Sequence, residues 1–427
     1  MSHVKIWSVY HQIWYNKKKC KNRKESNMSI FDKLSKPNIS INKSTDTHLY
    51  QLMHQDIPLI DINEETGEIN IHADSHSYLP YALRKNNLTF ENIKAWAERR
   101  VLLLDRQNSK NLLNACHLPQ DDKYRISRIC RYLSVDDCFW LRENESEKWE
   151  NFDLRKNSLS NALYQIAMDG KNVSLSGDIF TPEFTNLGTF AKCWKREDDG
   201  LYLYKKSNFN YESEKEVFVS NMLDILNIDH VVYEIAEPGN VCKCRCMTND
   251  DYSRLPFGEY SIYCRNNNID PVQIIYQSYK EDFYKMAIVD FITANTDRHG
   301  SNWGFWIDNK TGNICGLHPL YDHNLSFGMI IPDNYSYPGL SGVTVKEIAL
   351  EGEKELQINL KPLENISMEN CENIGIDYKS FSKRIEFLSE QDMIHERFKS
   401  INHKMYIPHS EASENQICKA DTVIENR

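Results

Sequence analysis

Asn295-Thr296-Asp297-Arg298-His299-Gly300-Ser301-Asn302-Trp303-Gly304-Phe305 is the stretch that decides the fold. Upstream of it, residues 274–294 are apolar at helical spacing, with Ile275, Tyr279, Phe283 and Met286 on one side, which predicts one long helix. Downstream, residues 302–307 and 314–317 alternate as strands around the turn Lys310-Thr311-Gly312. The polar residues between them therefore sit on a loop with rigid flanks. Further on, Leu320-Tyr321-Asp322-His323-Asn324 reads as the end of another apolar strand.

These residue types suit phosphoryl transfer. That chemistry needs one carboxylate to orient the attacking hydroxyl and accept its proton. It also needs a second carboxylate and an amide oxygen for Mg²⁺, since hard cations prefer oxygen ligands. Protein kinases place an Asp, an Asn five residues later and a further Asp downstream. Asp297, Asn302 and Asp322 follow that order and that first spacing. The Asp-Arg-His loop also resembles that of phosphoinositide-3/4-kinase-like enzymes.

A kinase further requires a strand lysine on the nucleotide phosphates and a helix carboxylate to steady it. Residues 190–195 and 201–205 are strand-like, and the Asp199-Gly200 turn between them is a hairpin signal because both residues tolerate positive φ. Lys205 ends the second strand, and alternation turns it inward in preference to Lys206. Ser213-Glu214-Lys215-Glu216 then opens a helix with Phe218, Met222, Ile225 and Leu226 on its apolar face and Asn227 at its end. Glu216 carries two readings: the second member of a capping box with Ser213, or the partner of Lys205. Residues 231–235 and 241–246 are two more strands, so this part is a curled sheet carrying one helix. Gly188 and Thr189 precede the first strand, where a phosphate-covering loop belongs. Lys192 is read either as a phosphate contact or as a solvated lysine, and His299 as holding the loop beside the cofactor.

Taken together, Thr181-Pro182-Glu183-Phe184-Thr185-Asn186-Leu187-Gly188-Thr189-Phe190-Ala191-Lys192-Cys193-Trp194, Tyr202-Leu203-Tyr204-Lys205, Thr296-Asp297-Arg298-His299-Gly300-Ser301-Asn302 and Pro319-Leu320-Tyr321-Asp322 resemble the HipA-like kinases. These are bacterial Ser/Thr kinases often found as toxins beside a DNA-binding antitoxin. The resemblance covers roughly residues 174–400, and its last two motifs are the specific ones. It implies Asp297 as catalytic base, Asn302 and Asp322 as Mg²⁺ ligands, and Lys205 as the phosphate contact. It also implies ATP as cofactor, a protein substrate and an antitoxin partner. The implied fold class is α+β: a two-lobed protein-kinase-like fold, with a small mixed α/β lobe, a larger helical lobe and an α-rich N-terminal region. His323-Asn324 stands after Asp322 in place of Phe-Gly, so eukaryotic activation-loop regulation is not implied. The N-terminal 160 residues are similar to a region of some clostridial-type HipA-like proteins, and do not clearly match the N-terminal subdomain of the toxin prototype.

The expected organisation is a flexible basic segment and linker at 1–44, the α-rich region at 45–165, a small ATP-binding lobe at 166–248, a helical catalytic lobe at 249–407 and a flexible tail at 408–427. Residues 1–27 hold seven Lys/Arg against one acidic residue, and Met28 offers an alternative start. Within 45–165, a hairpin is expected at 59–62 and 69–72, an amphipathic helix at 89–104 and a helical region at 121–133. Residues 330–345 read as a Gly/Pro/Tyr-rich loop and 345–405 as helices. Ser174, Ser176, Thr185 and Thr189 stand near the glycine loop as candidate autophosphorylation positions.

Composition sets the outer limits. The 427 residues are 41% hydrophobic and 26% charged, which predicts a globular chain and argues against disorder. Acidic residues outnumber basic ones by 61 to 51, for a net charge of −10, so direct nucleic-acid binding is disfavoured. No apolar run approaches the ~20 residues of a membrane-spanning helix. The twelve cysteines are scattered, and Cys242, Cys244 and Cys246 lie in a strand with no second ligand pair nearby, so free thiols in a reducing cytoplasm are expected. Two rival functions remain open: a phosphoinositide or small-molecule kinase using the same residues, and a nucleotide-binding interaction module without catalysis.

Overall fold

The computed structural model describes residues 49–389 apart from 158, 173–179, 186–187, 209–210, 238–239, 329–333, 339 and 341. The expectations for residues 1–44 and 390–427, and for Ser174 and Ser176, lie outside the described residues. The first part is a four-stranded antiparallel sheet with short helices. Its strands β1 (Leu49–His54), β2 (Ile57–Asn63) and β3 (Ile69–Ile71) lead to helices α1 (Phe90–Glu98), α2 (Ser109–Ala115) and α3 (Lys123–Ile129). Strand β4 (Phe139–Arg142) and helix α4 (Asn161–Asp169) complete it, and the strand order is β3-β2-β1-β4. The β2–β3 hairpin stands where expected: Asn63 Oδ1 accepts from the Glu65 and Thr66 amides, and Gly67 takes φ +72°.

The α-rich expectation for residues 45–165 needs amending, because β1 and β4 pair across a long separation that local periodicity does not show. Helix α1 also ends well before residue 104. Thr89 and Asn92 form its capping box, while Arg99 and Arg100 at its end turn to Glu259 and Asp137. Helix α3 stops at Ile129, and Arg131 and Tyr132 beyond it adopt positive φ.

The second sheet follows the expected order of strand, strand, helix, strand, strand. It contains β5 (Lys192–Glu197), β6 (Gly200–Lys206), helix α5 (Glu212–Leu226), β7 (Tyr233–Glu237) and β8 (Val241–Arg245). All pairs are antiparallel in the order β5-β6-β8-β7. Three details differ from the sequence reading. Glu197 pairs with Gly200, so the connecting residues are Asp198 and Asp199, and neither has positive φ. Helix α5 begins one residue before Ser213, with Tyr211 as its N-cap and no side-chain cap; the Ser213 hydroxyl instead donates to the Lys205 and Asn240 carbonyls. The capping box is therefore absent. Ile225 is exposed, and Val219 and Leu223 take the buried face beside Met222. Asn227 ends the helix in the left-handed region, as read.

The third part contains β9 (Tyr252–Pro256), α6 (Phe257–Asn267), α7 (Pro271–Ser278), α8 (Lys280–Ile292), β10 (Gly304–Asp308), β11 (Asn313–Leu317), α9 (Val345–Leu356), α10 (Met368–Glu372) and α11 (Tyr378–Ser389). Its three strands are ordered β11-β10-β9. The expected long helix at 274–294 is broken at Tyr279, whose φ of −135° lies outside the helical range. The largest apolar core gathers around α8, where Phe283, Met286, Ala287, Ile288 and Val289 have no exposed surface. The segment before Asp322 is not a strand; Leu320 makes only an isolated parallel bridge with His230. Among the described residues no helix is long and apolar enough to cross a membrane.

Candidate active site

The loop after α8 is fixed by a chain of short-range hydrogen bonds. Asn295 Nδ2 donates to Asp290 on α8 at 3.0 Å, and its Oδ1 accepts the Asp297 amide at 3.1 Å. The Asp297 carbonyl accepts the His299 amide at 2.8 Å and Asn302 Nδ2 at 3.0 Å. His299 Nδ1 accepts the Ser301 amide at 3.2 Å, within the loop, and its side chain is exposed. Gly300 packs on the start of α6: its carbonyl accepts the Gly258 amide, and a Cβ at 300 would stand 2.9 Å from the Gly258 nitrogen. That approach requires glycine.

Arg298 ties this loop to the segment that carries Asp322. Its guanidinium and the Asp290 carboxylate are both without exposed surface and 2.9 Å apart. Arg298 Nη1 donates to the Asn302 carbonyl at 2.8 Å and to the Tyr321 carbonyl at 2.6 Å. One cation thus holds the main chain beside both Asn302 and Asp322. Tyr337 and Asn295 donate to the same Asp290, so the buried carboxylate is fully engaged. His323 also faces Arg298, and burial followed by the guanidinium charge depresses its pKa well below the ordinary imidazole value, keeping it neutral.

Lys205 and Glu216 approach from the second sheet. Lys205, paired with Cys242 across β6 and β8, points inward while Lys206 is less buried. Its ammonium lies 2.6 Å from Asp322 Oδ1 and 3.2 Å from Glu216 Oε2, with Nζ 5.0 Å from the centre of the Tyr233 ring. The other Glu216 oxygen accepts the His323 amide at 3.0 Å. Geometrically, Glu216 is therefore a lysine partner and not a cap. Burial alone would raise the Asp322 pKa, but the Lys205 and Lys192 charges outweigh it and hold the carboxyl well below the usual range. For Glu216 burial prevails over Lys205, and its pKa is raised. Burial also raises that of Asp297, opposed by His299 and reinforced by Asp322.

Gly188, at φ +96°, and Thr189 lead into β5. A Cβ on Gly188 would meet Lys192 Nζ at 2.5 Å, so the missing side chain makes room for that ammonium. Lys192 faces Asp322 and Lys205 electrostatically; burial is the largest influence on it and lowers its pKa. Gly188, Thr189, Lys192, Lys205, Glu216, Asp297, His299, Asn302 and Asp322 line one cleft of about 700 Å³.

The sequence reading missed Arg298, Asp290 and Tyr233. Asp290 had a signal: it is the sole charge in the apolar run Met286-Ala287-Ile288-Val289-Asp290-Phe291-Ile292. A charge there needs a buried partner. The donor set fits a hard divalent cation. Asn302 Nδ2 is spent on Asp297, which leaves the amide oxygen for a metal, and Asp322 is held ionised. Among the described residues no cluster of three or more His, Cys, Asp or Glu forms a metal cage. Mg²⁺ bound with substrate phosphates needs only one or two protein carboxylates.

The chain is thus a mixed α/β protein whose cleft is lined by the carboxylates of Glu216, Asp297 and Asp322, the Asn302 amide and the Lys192 and Lys205 ammonium groups. Two solved structures are similar to it in part. One is the Helicobacter pylori proinflammatory kinase CtkA, with 14% identity and a TM-score of 0.36 over 51% of this chain and 93% of that one. Another is HipA of Shewanella oneidensis MR-1, solved with HipB and its operator DNA, with 10% identity and a TM-score of 0.48 over 80% of this chain and 96% of that one. The second of these carries the name of the family that the motifs resemble. No family model and no curated protein matches the chain.

Proposed function

We propose that this chain is an ATP- and Mg²⁺-dependent HipA-like kinase that transfers the γ-phosphate to a serine or threonine hydroxyl of a protein. The observation that supports it most is the single Arg298 guanidinium bonded to the carbonyls of Asn302 and Tyr321, with Lys205 on Asp322 next door. In this reading residues 166–248 form the small nucleotide lobe and residues 249–407 the catalytic lobe. Lys205, steadied by Glu216, contacts the phosphates, and Gly188, Thr189 and Lys192 cover them. Asn302 and Asp322 hold Mg²⁺, which when bound neutralises charge developing on the phosphates.

Asp297 orients the acceptor hydroxyl and takes its proton as the new O–P bond forms and the bond from Pγ to the ADP oxygen breaks. Burial raises its pKa, which makes the carboxylate a better proton acceptor. The remaining work is positional and electrostatic, as phosphoryl transfer demands. A cytoplasmic setting and an antitoxin-type protein partner belong to the same proposal, as do the segments 1–44, 45–165 and 408–427 as separate parts of the chain.

Intact-mass spectrometry after incubation with ATP and Mg²⁺ tests the reading. Added phosphate on the parent chain, and none on Asp297→Ala, is the expected result. Phosphate on phosphoinositide or small hydroxyl acceptors alone favours the lipid or small-molecule alternative. Nucleotide binding without turnover on any acceptor favours the non-catalytic module.

A further inference from the structure

Residues 102–107, between α1 and α2, join the N-terminal part of the chain to the phosphate-covering loop. Two main-chain bonds join it to that loop: the Leu102 amide donates to the Phe184 carbonyl at 2.7 Å, and the Gln107 amide to the Thr189 carbonyl at 3.0 Å. Arg106 adds a side chain with no exposed surface. Its Nη1 donates to the Glu183 carbonyl at 3.2 Å, and its Nη2 donates to the Lys192 carbonyl and lies 3.6 Å from Glu183 Oε2. Glu183 Oε1 in turn accepts the Trp194 amide at 2.6 Å. The guanidinium therefore grips the main chain on both sides of Gly188 and Thr189, before the loop at Glu183 and after it at Lys192.

This grip matters because of what Lys192 does. Its ammonium occupies the space left by the absent Gly188 side chain and faces Asp322. The height of the Lys192 backbone thus sets the gap between the loop and the carboxylate end of the cleft. A guanidinium with donors to two carbonyls and a carboxylate is suited to that task, because its planar fork fixes several directions at once. A lysine ammonium is a point charge and cannot reproduce them.

We infer that Arg106 is a positioning residue for the nucleotide: residues 102–107 hold Gly188, Thr189 and Lys192 at the height that grips the phosphates, so the N-terminal region is a working part of the nucleotide site. The inference rests on the kinase reading above and assigns to this region a role in that reading. It specifies that binding of nucleotide, and not the chemical step, depends on Arg106.

Self-phosphorylation followed by intact mass across a series of ATP concentrations, with titration of a fluorescent ADP analogue in Mg²⁺, tests it on the full chain. Arg106→Lys is expected to weaken nucleotide binding about tenfold, or about 1.4 kcal/mol, and to raise the KM for ATP equally. The rate at saturating ATP should stay within about threefold of the parent's, which is the split of a lost binding contact. Arg106→Met with Glu183→Gln removes the buried pair together, so no lone charge is left to unfold the chain; it should show the same split, larger. An unchanged KM for ATP in both variants overturns the inference. So does a loss of saturating rate as deep as that of Asp297→Ala with KM unmoved. A parent chain that neither binds the analogue nor gains phosphate overturns the kinase reading itself, and that outcome is distinguished by the parent alone.

Discussion

Arg298→Met is the substitution with the largest expected consequence. Arg298 and Asp290 are both without exposed surface, and the arginine supplies four of the hydrogen bonds that hold the site loop: Nε and Nη2 to Asp290, and Nη1 to the Asn302 and Tyr321 carbonyls. Methionine fills part of the volume and removes the charge. Asp290 then keeps only Tyr337 and Asn295 as donors, in a site without exposed surface. Breaking a buried pair by removing one partner costs about 3–5 kcal/mol. Each orphaned carbonyl adds roughly 1–3 kcal/mol in isolation, although such costs are not additive within one network. Taking ~4 kcal/mol, and about 2 °C per kcal/mol as befits a large unit, the thermal midpoint falls by about 8 °C.

The companion variant separates stability from function. Arg298→Met with Asp290→Asn removes the stranded carboxylate, so at least ~2 kcal/mol should return. The Asn302 and Tyr321 carbonyls stay unheld in both variants, so turnover should not return with it. Urea unfolding and phosphate incorporation measured on the parent, both variants and Asp290→Asn close the cycle. A loss under about 1 kcal/mol in Arg298→Met, well short of the cost of breaking a buried ion pair, refutes the buried-pair argument. A double variant with parental turnover refutes the claim that Arg298 positions Asn302 and Asp322 for the proposed reaction.

Two further outcomes follow from packing and charge elsewhere. On α9, Gly352 faces Tyr284 so closely that a Cβ would stand 2.7 Å from the tyrosine Cβ and 2.9 Å from its Cγ. Gly352→Ala should therefore destabilise by about 1–2 kcal/mol in urea unfolding, because overpacking outweighs the helix-propensity gain of ~1 kcal/mol; a stabilised variant would contradict the contact. Glu353 carries a buried Oε2 with no partner, and burial raises its pKa to about 7, opposed by the Ile358 amide. The folded state prefers the protonated acid, so its penalty is absent below the ordinary carboxylate value and grows as pH rises to about 7. Glu353→Gln should thus raise the thermal midpoint at pH 8.5 and leave it nearly unchanged at pH 4; an equal gain at both pH values would show that the acid does not titrate in that range.

The elements legible in the sequence are those whose cause is local. The β10–β11 hairpin and the loop at Asp297 are specified largely by residues within a few positions of one another and stand where their patterns put them; the β5–β6 hairpin also forms there, though it turns at Asp198-Asp199 and not at Asp199-Gly200. Strands β1, β4 and β9 were not legible. The described partners of β4 and β9 lie far along the chain, β9 joining β10 across some fifty residues, whereas β1 pairs with adjacent β2 as well as with distant β4. The break at Tyr279 was hidden for a different reason. Ile275 on α7 and Phe283 and Met286 on α8 all bury the same core, so the helical period runs on through a residue whose backbone leaves the helix.

Glu216 shows how magnitudes choose between two signals carried by one residue. As a cap with Ser213 it would contribute about 1 kcal/mol. As a partner it faces the Lys205 ammonium, which is nearly buried and has Asp322 on its other side. Without Glu216 the ammonium would keep Asp322 as a counter-ion but lose one of its two carboxylate partners, and breaking a buried ion pair costs several kcal/mol, more than a cap contributes. The tertiary demand exceeds the local one, so α5 starts a residue early and Ser213 turns its hydroxyl to the Lys205 and Asn240 carbonyls. The freed Glu216 also takes the His323 amide, directly after Asp322, so one carboxylate fixes both the lysine and the turn of chain that presents Asp322. A capping motif beside a lysine-bearing strand is therefore weak evidence for a cap whenever the lysine must be buried, and the competing reading is the one to carry forward.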